Sequence, residues 1–167
     1  MVCARCGKET RGKFCFICSL ANTHGISKIT PNIYLTDNIN SRDYVKLQRM
    51  GVQQILTVGI DLEPHATDIF RTYKVDVSDV ENENIGMYFN ATNDFINKGI
   101  TLVHCRAGIS RSASIVIAYL MKIRKWSLNR AMSYVKSRRR IIKPNPGFLL
   151  QLKSYESTLL KKETRIS

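Results

Sequence analysis

The sequence lacks an apolar run long enough to cross a membrane, and it lacks an apolar segment near its N-terminus. Its longest apolar run, around residues 115–121, is far shorter than the ~20 residues that span a bilayer. The N-terminal residues, MVCARC, do not resemble a secretory signal. We therefore expect a soluble protein without a membrane partner, located in the cytoplasm and/or nucleus, where thiols stay reduced.

Low-complexity composition is also absent, and acidic residues are scarce. Hydrophobic residues make up 44% and charged residues 23% of the 167 residues, which excludes a disordered or collagen-like chain. The 26 Lys+Arg outnumber the 13 Asp+Glu, and no acidic residue occurs between Asp94 and Glu156. This net charge of +13 predicts a positive field that attracts an anionic substrate or partner.

Strand and helix patterns alternate from about residue 28 onward. Strands are predicted at residues 33–35, 52–58, 71–77 and 100–103. Helices are predicted after a Ser41 cap, along the face of residues 85–96, over residues 112–125, after a Ser127 cap and after Asn145-Pro146. The alternation predicts an α/β fold whose central, mostly parallel sheet is flanked by helices. The expected domains are a small module at 1–24, a main domain at 27–160 and a basic tail at 161–167.

One loop, HCRAGISRS from His104 to Ser112, lies between a buried strand and a buried helix. Open α/β sheets bind ligands in such loops. Its central residues can curl so that their backbone N–H groups surround a tetrahedral oxyanion. Gly108 allows close approach, and Arg111 can bind two phosphate oxygens. The predicted phosphate-binding residues are Cys105, Arg106, Ala107, Gly108, Ile109, Ser110 and Arg111.

Cys105 is the candidate nucleophile of this loop. A helix N-terminus and neighbouring cations favour the thiolate form of a cysteine, which is the nucleophilic form. The alternative for a single cysteine with apolar neighbours is an inert, buried thiol. That alternative requires the cysteine, the glycine and the arginine to share this loop by coincidence.

The pattern H-C-x5-R-S in this loop resembles the signature of the cysteine-dependent protein tyrosine phosphatases. The segment AGISRSA is similar to the dual-specificity branch, and the likeness continues through AYLM and KPNPGF, over roughly residues 27–157. The resemblance implies a protein tyrosine phosphatase-like fold and a catalytic domain at 27–160. It also implies hydrolysis of phosphotyrosine and phosphoserine/phosphothreonine in proteins, through a phosphocysteine intermediate on Cys105 and without a catalytic metal.

The resemblance also implies a general acid, which protonates the departing oxygen. In the family this residue precedes the first apolar residue of the following helix by six positions. Six positions before Ile85 stands Asp79, which is favoured over the nearby Asp76, a strand-end or turn residue.

Other roles are carried by the same resemblance. Arg111 binds the phosphate, and Ser112 hydrogen-bonds the departing Cys105 thiolate or serves as a helix N-terminal hydroxyl. His104 supports the loop, and Asn145 either steadies it or only caps a helix.

The run Arg138-Arg139-Arg140 closes a helix, where cations interact favourably with the helix dipole; an anion-binding or docking patch is the alternative.

The other four cysteines are paired as Cys3-x2-Cys6 and Cys15-x2-Cys18. Two C-x2-C pairs supply four soft ligands for a tetrahedral, structural Zn²⁺. The segment is too short for a core, so metal binding would provide its folding energy. We expect a zinc knuckle that could dock a protein; a reducible disulfide pair or thiols that protect Cys105 from oxidation are the alternatives.

Three functions remain open on the sequence alone. The leading prediction is a dual-specificity phosphatase acting on phosphorylated proteins. The second is an RNA 5′-phosphatase or phosphoinositide phosphatase on the same fold, suggested by the +13 charge, although such relatives usually carry other residues in the loop. The third is a non-catalytic phosphate-binding adaptor, against which Cys105, Arg111 and Asp79 argue. Nucleic acid is therefore not the expected partner.

Overall fold

The structure is a computed structural model that describes Glu9 and residues 24–165. The strands are β1 (Ser27–Thr30), β2 (Ile33–Thr36), β3 (Gln54–Val58), β4 (Arg71–Val75) and β5 (Thr101–His104). The helices are α1 (Tyr44–Arg49), α2 (Phe89–Ile96), α3 (Arg111–Arg124), α4 (Leu128–Arg138) and α5 (Pro146–Thr164). Short 3-10 turns at Asn40–Arg42 and Gly86–Tyr88 precede α1 and α2.

The strands form one mixed sheet in the order β1-β2-β5-β3-β4. Strands β2, β5, β3 and β4 pair in parallel, and only β1 runs antiparallel to its neighbour β2 within the described chain. This arrangement confirms the predicted α/β fold with a mostly parallel sheet. The predicted module at residues 1–24 falls almost wholly outside the described residues.

Alternate residues of the central strands pack into different clusters on the two faces of the sheet. On one face Leu56 and Val103 join the side chains of α2, α3, α4 and α5. On the other face Ile55 and Leu102 pack with Leu47 of α1. Burial on both faces explains why two apolar residues, Leu102 and Val103, stand next to each other in β5, because neither face meets water.

Helix α3 lies in the middle of the larger cluster. Its residues from 111 to 121 are all buried, and it contacts α2, α4 and α5. A helix that is apolar around its whole circumference has to be covered on all sides. The loop between β5 and α3 is therefore held between a buried strand and a largely buried helix.

Some predicted boundaries differ from the observed ones. The N-cap of α1 is Asp43, whose carboxylate accepts from the Lys46 N–H (3.2 Å), and not Ser41. The Ser41 hydroxyl is engaged elsewhere, since it donates to the Asn38 carbonyl and contacts the His65 ring. Helix α5 continues to Thr164 and so includes the first residues of the expected 161–167 tail. Within residues 24–165 no helix is long and apolar enough to cross a membrane.

Candidate active site

Cys105 follows β5 directly and lies at the base of the loop, with only 2% of its surface exposed. Its Sγ accepts hydrogen bonds from the Gly108 backbone N–H (3.3 Å) and from the Ser112 hydroxyl (3.0 Å). Hydrogen-bond donors that point at sulfur stabilise negative charge on it when it acts as a nucleophile or leaving group. Both donors come from the loop and the first turn of α3, so the local chain path creates the environment of the sulfur.

The backbone carbonyls of the loop are bound from outside. Donor and acceptor pairs are Asn38 N–H with Arg106 O (3.2 Å), Arg139 Nε with Gly108 O (2.8 Å), Lys143 N–H with Ile109 O (2.8 Å) and Ser114 N–H with Ser110 O (3.0 Å). The C=O and N–H of a trans peptide point in opposite directions, so the N–H groups that follow these carbonyls are directed inward. Inward backbone N–H groups at the start of α3 make an anion-binding concavity.

Gly108 has a φ of 65°, in the left-handed region, and its surroundings are close. A Cβ at this position would lie 2.6 Å from the Thr36 carbonyl oxygen and 2.7 Å from Arg139 Nη2. A side chain here would therefore require both the backbone conformation and the neighbouring strand to change.

Arg111 begins α3 and is almost fully buried, with 3% exposure. Its Nη1 donates to the Asp61 carboxylate (2.5 Å) and to the Val77 carbonyl (3.3 Å). Its Nε is buried and makes no hydrogen bond to any described residue. A buried guanidinium donor without a partner points to a missing acceptor, and a phosphate oxygen has the required chemistry.

Asp61 joins two arginines of the loop. Besides Arg111, it binds Arg106, whose Nε donates to the second carboxylate oxygen (2.5 Å) and whose Nη2 donates to the backbone carbonyl (3.0 Å). Burial raises the pKa of Asp61, but the hydrogen bonds from Arg111 and Arg106 outweigh it and lower this pKa to about 2. Burial lowers the pKa of Arg111, but the negative charges of Cys105 and Asp61 raise it overall.

Asp79 shares a cleft with the loop. A cavity of about 330 Å³ is lined by Asp79, Ala107, Ile109, Ser110, Lys143, Pro144, Asn145 and Pro146. The Asp79 carboxylate accepts from Asn145 Nδ2 (3.0 Å). Asp76 instead pairs with Lys74 (3.0 Å), with 59% of its side chain exposed, and it does not line this cavity.

Asn145 connects three parts of the site. Its side-chain Oδ1 accepts from the Phe148 N–H (2.9 Å) and thereby caps α5, while its backbone N–H donates to Ser110 Oγ (3.0 Å). With the bond to Asp79, the same residue contacts the helix, the loop and the candidate acid. Capping and support of the site therefore coexist in Asn145.

His104 lies behind the loop and is fully buried. Its Nε2 is 2.9 Å from Thr57 Oγ1, on the neighbouring strand β3. Burial lowers its pKa to about 3, with smaller contributions from nearby charges including His65 and Arg42. The ring is therefore neutral near pH 7 and fixes β5 against β3, as a supporting residue would.

The sequence interpretation missed Asp61 and the role of Arg139. Asp61 lies just beyond β3, whose parallel neighbour β5 leads into the loop, so sheet order would have been the signal. Arg139 was assigned to the helix dipole, but its side chain is buried against the loop. The candidate zinc ligands Cys3, Cys6, Cys15 and Cys18 lie outside the described residues.

This arrangement defines a class of α/β proteins that present a cysteine at the base of an oxyanion-binding loop between a central parallel strand and a helix. Residues 33–158 match the family model described as dual specificity phosphatase, catalytic domain. The chain belongs to this dual-specificity phosphatase family.

Curated relatives and solved structures agree with the family match. The chain is 39% identical over 144 residues to human protein phosphatase Slingshot homolog 2, covering 83% of this chain and 10% of that protein. It is 39% identical over 145 residues to human dual specificity protein phosphatase 14, covering 84% of this chain and 73% of that protein. Several Slingshot relatives are thus much longer than this chain, which spans only 10–21% of their length.

The fold is shared with a structure of a human tyrosine phosphatase-like serine/threonine/tyrosine-interacting protein. The TM-score is 0.78 at 34% sequence identity, and the match covers 82% of this chain and 99% of the other. The predicted protein tyrosine phosphatase-like fold is confirmed by this match.

Proposed function

We propose that this chain hydrolyses phosphotyrosine and phosphoserine/phosphothreonine in phosphorylated proteins through a phosphocysteine intermediate. The observation that carries the proposal is the position of Cys105 Sγ at the base of the loop, where it accepts two hydrogen bonds. The backbone carbonyls of this loop point away from its centre, because residues around the loop donate hydrogen bonds to them. The buried Arg111 in the same loop has an Nε that finds no partner in the described part of the chain, which supports a phosphate as the ligand.

In the first step the Cys105 thiolate attacks phosphorus, so an S–P bond forms while the bond to the leaving oxygen breaks. The inward N–H groups and the free edge of Arg111 bind the equatorial oxygens and stabilise their charge. Asp79, in its protonated form, gives its proton to the departing oxygen. Its place in the cleft and its hydrogen bond to Asn145 support this role over Asp76.

In the second step water attacks the phosphocysteine and the S–P bond breaks. The Asp79 carboxylate takes the proton of the attacking water, which restores the acid. The sulfur leaves as a thiolate, and the hydrogen bonds from Ser112 and Gly108 stabilise that charge.

The direct test is hydrolysis of a small aryl phosphate by the full chain and by Cys105→Ser, with and without a chelator. We expect metal-independent turnover by the wild type and loss of turnover in the variant. Phosphopeptides, a phosphoinositide and 5′-triphosphorylated RNA are then compared as substrates. If the wild type hydrolyses none of these substrates, the enzyme function is refuted and the non-catalytic adaptor is the function that remains. A strong preference for the lipid or the RNA would refute the proposal that phosphorylated proteins are the substrates.

Replacing the general acid should affect poor leaving groups most. We expect Asp79→Asn to lower kcat by about 10²-fold or more for a phenyl-type leaving group, and far less for an activated one. Asp76→Asn is the matched control and should keep near wild-type rates, because Asp76 pairs with Lys74 outside the cleft. Steady-state kinetics with both substrates measure the effect; equal losses for the two leaving groups would contradict the assignment of Asp79.

We also propose that the four N-terminal cysteines bind one structural Zn²⁺. The paired C-x2-C spacing and the tetrahedral preference of zinc for thiolates support this. Metal analysis of the full chain should give one zinc per chain, lost in Cys3→Ser with Cys6→Ser and retained in Cys105→Ser. Well under one zinc per wild-type chain, or loss of zinc only when Cys105 is replaced, would refute the proposal.

A further inference from the structure

Arg139 is a fully buried arginine directly after α4. Its exposure is 0%, whereas its neighbours Arg138 and Arg140 are exposed. The backbone at Arg139 is extended, with φ −138° and ψ 91°, and this turns the side chain inward where the helix ends. The three consecutive arginines therefore differ in environment although they are identical in sequence.

The Arg139 guanidinium binds neutral oxygens. Its Nε donates to the Gly108 carbonyl (2.8 Å), and its Nη1 donates to the Gly25 carbonyl (3.0 Å) and to Ser27 Oγ (3.1 Å). Its Nη2 is buried without a hydrogen-bond partner among the described residues. No carboxylate in residues 24–165 forms a salt bridge with Arg139.

A buried cation without a paired anion is costly. Burial lowers the pKa of Arg139, and the negative charges that oppose this effect are those of Asp37 and Cys105. The Asp37 carboxylate is already bound by the Ile39 and Asn40 backbone N–H groups (2.8 and 2.9 Å). Of the two negative charges, that of Cys105 is the one at the base of the loop, where a bound phosphate would add a further negative charge.

The contact with Gly108 also fixes the orientation of one peptide group. The Gly108 carbonyl is held outward by Arg139, so the Ile109 N–H on the same peptide points the opposite way, into the loop. The Arg106 and Ile109 carbonyls accept hydrogen bonds from backbone N–H groups, whereas the Gly108 carbonyl accepts its hydrogen bond from the charged Arg139 side chain. A side-chain substitution can therefore remove it without breaking a backbone hydrogen bond.

We propose that Arg139 is a positioning residue of the phosphate loop. It holds the Gly108–Ile109 peptide so that the Ile109 N–H faces the phosphate, and it places a buried positive charge next to the loop that carries Cys105. Because the same guanidinium binds Gly25 and Ser27, it also ties the loop to the start of β1. This assignment rests on the proposed phosphatase function.

Three variants of the full chain test the proposal. Arg139→Met removes the charge and the donors, Arg139→Lys keeps the charge but cannot reach Gly108 and Gly25 with the same planar fork, and Arg140→Met is the exposed control. Circular dichroism and thermal unfolding first establish that each variant is folded. The readouts are kcat and KM for an aryl phosphate, inhibition by vanadate, and the rate of Cys105 alkylation by iodoacetamide from pH 4 to pH 9.

We expect Arg139→Met to bind vanadate at least about tenfold more weakly and to lose about 10²-fold in kcat, with KM changing less, because oriented donors act mainly on the transition state. Its alkylation midpoint should move to higher pH. Arg139→Lys should keep the wild-type midpoint but lose vanadate affinity, and Arg140→Met should match the wild type in every readout.

A folded Arg139→Met with wild-type vanadate inhibition and a wild-type alkylation midpoint would overturn the proposal. If Arg139→Met does not fold, Arg139→Lys provides the test, since vanadate affinity equal to that of the wild type in this variant would also overturn the proposal. A wild-type chain that hydrolyses no aryl phosphate would instead refute the proposed function. The alkylation midpoints would then still test the charge that Arg139 contributes.

Discussion

Asp61 is the residue that orients Arg111, the proposed phosphate-binding arginine. It binds Nη1 of the Arg111 guanidinium, whereas Arg111 Nε has no hydrogen-bond partner among the residues that the structure describes. It also draws Arg106 toward the same carboxylate. A single acidic residue thus decides which edge of Arg111 is available to a phosphate oxygen.

Removing Asp61 should weaken phosphate binding. We expect Asp61→Ala to lower kcat/KM for an aryl phosphate by about tenfold, mostly through KM, because the bidentate geometry of Arg111 is lost. Asp61→Asn should lower kcat/KM less than Asp61→Ala does, since asparagine keeps the shape of the side chain. Glu63→Gln is the control, as the Glu63 side chain is 84% exposed and pairs with Lys74. Wild-type kinetics in Asp61→Ala would show that Arg111 is oriented without it.

The residues of the loop could be predicted because they are contiguous in the sequence. The short sequence separation of Cys105, Gly108 and Arg111 is enough to predict that they lie in one loop. Asp61 and Arg139 could not be predicted in this way, because their contacts depend on sheet order and on the path of the chain after α4. In the sequence Arg139 is identical to the exposed Arg138 and Arg140, so only burial separates them.

At the scale of elements, the N-terminus of α5 holds the segment that carries Asp79. Asn145 binds Asp79, and Gln151 binds the Glu83 carbonyl (2.8 Å) and the Gly86 N–H (2.8 Å). Gly147 lies against the same segment, where an added Cβ would be 1.9 Å from the Glu81 carbonyl oxygen. Asp79, the proposed acid, is therefore held by α5, a helix that is far from it in sequence.

A methyl group at Gly147 should separate these two elements. We expect Gly147→Ala to destabilise the fold by about 1–3 kcal/mol, as overpacking does, and to lower kcat for poor leaving groups. Gly99→Ala is the matched control, because the closest atom to its added Cβ belongs to the flexible Gln53 side chain. Urea unfolding and steady-state kinetics measure both effects; a Gly147→Ala protein as stable as the control would contradict the close packing.

The element types were predicted more accurately than their ends. The strand expected at 52–58 begins at Gln54, and the one expected at 71–77 ends at Val75. The helical face expected from Ile85 becomes α2 only at Phe89, after a 3-10 turn. Apolar periodicity reports which face is buried, and the residues flanking an element can be buried without belonging to it, as Val77 is.

At the scale of the whole molecule, two histidines make stability depend on pH. Burial lowers the pKa of His65 to about 4, assisted by the charge of Arg42, and it lowers the pKa of His104 to about 3. Both rings are neutral in the folded protein and become protonated on unfolding below about pH 6.5. The unfolded state then binds more protons, so stability falls as the pH is lowered from 6.5 toward 4.

We expect the free energy of unfolding to drop by about 2–4 kcal/mol between pH 7 and pH 5. His65→Gln should reduce this drop, because it removes one of the two titrating rings while keeping a polar partner for Ser41. Asp61 should not contribute in this range, since its lowered pKa keeps it ionised in the folded protein. Urea unfolding at several pH values measures the dependence, and equal stability at pH 5 and pH 7 would contradict it.

Strand β5 lies in the middle of the sheet, between β2 from the beginning of the domain and β3 from its first half. The loop after β5 is in turn bound by residues on both sides of it in sequence, from Asn38 to Lys143. Nearly the whole domain must therefore be synthesised and assembled before the loop acquires its shape. An oxyanion that binds the loop recognises only the completed fold, so it should slow unfolding and serve as a late marker of folding.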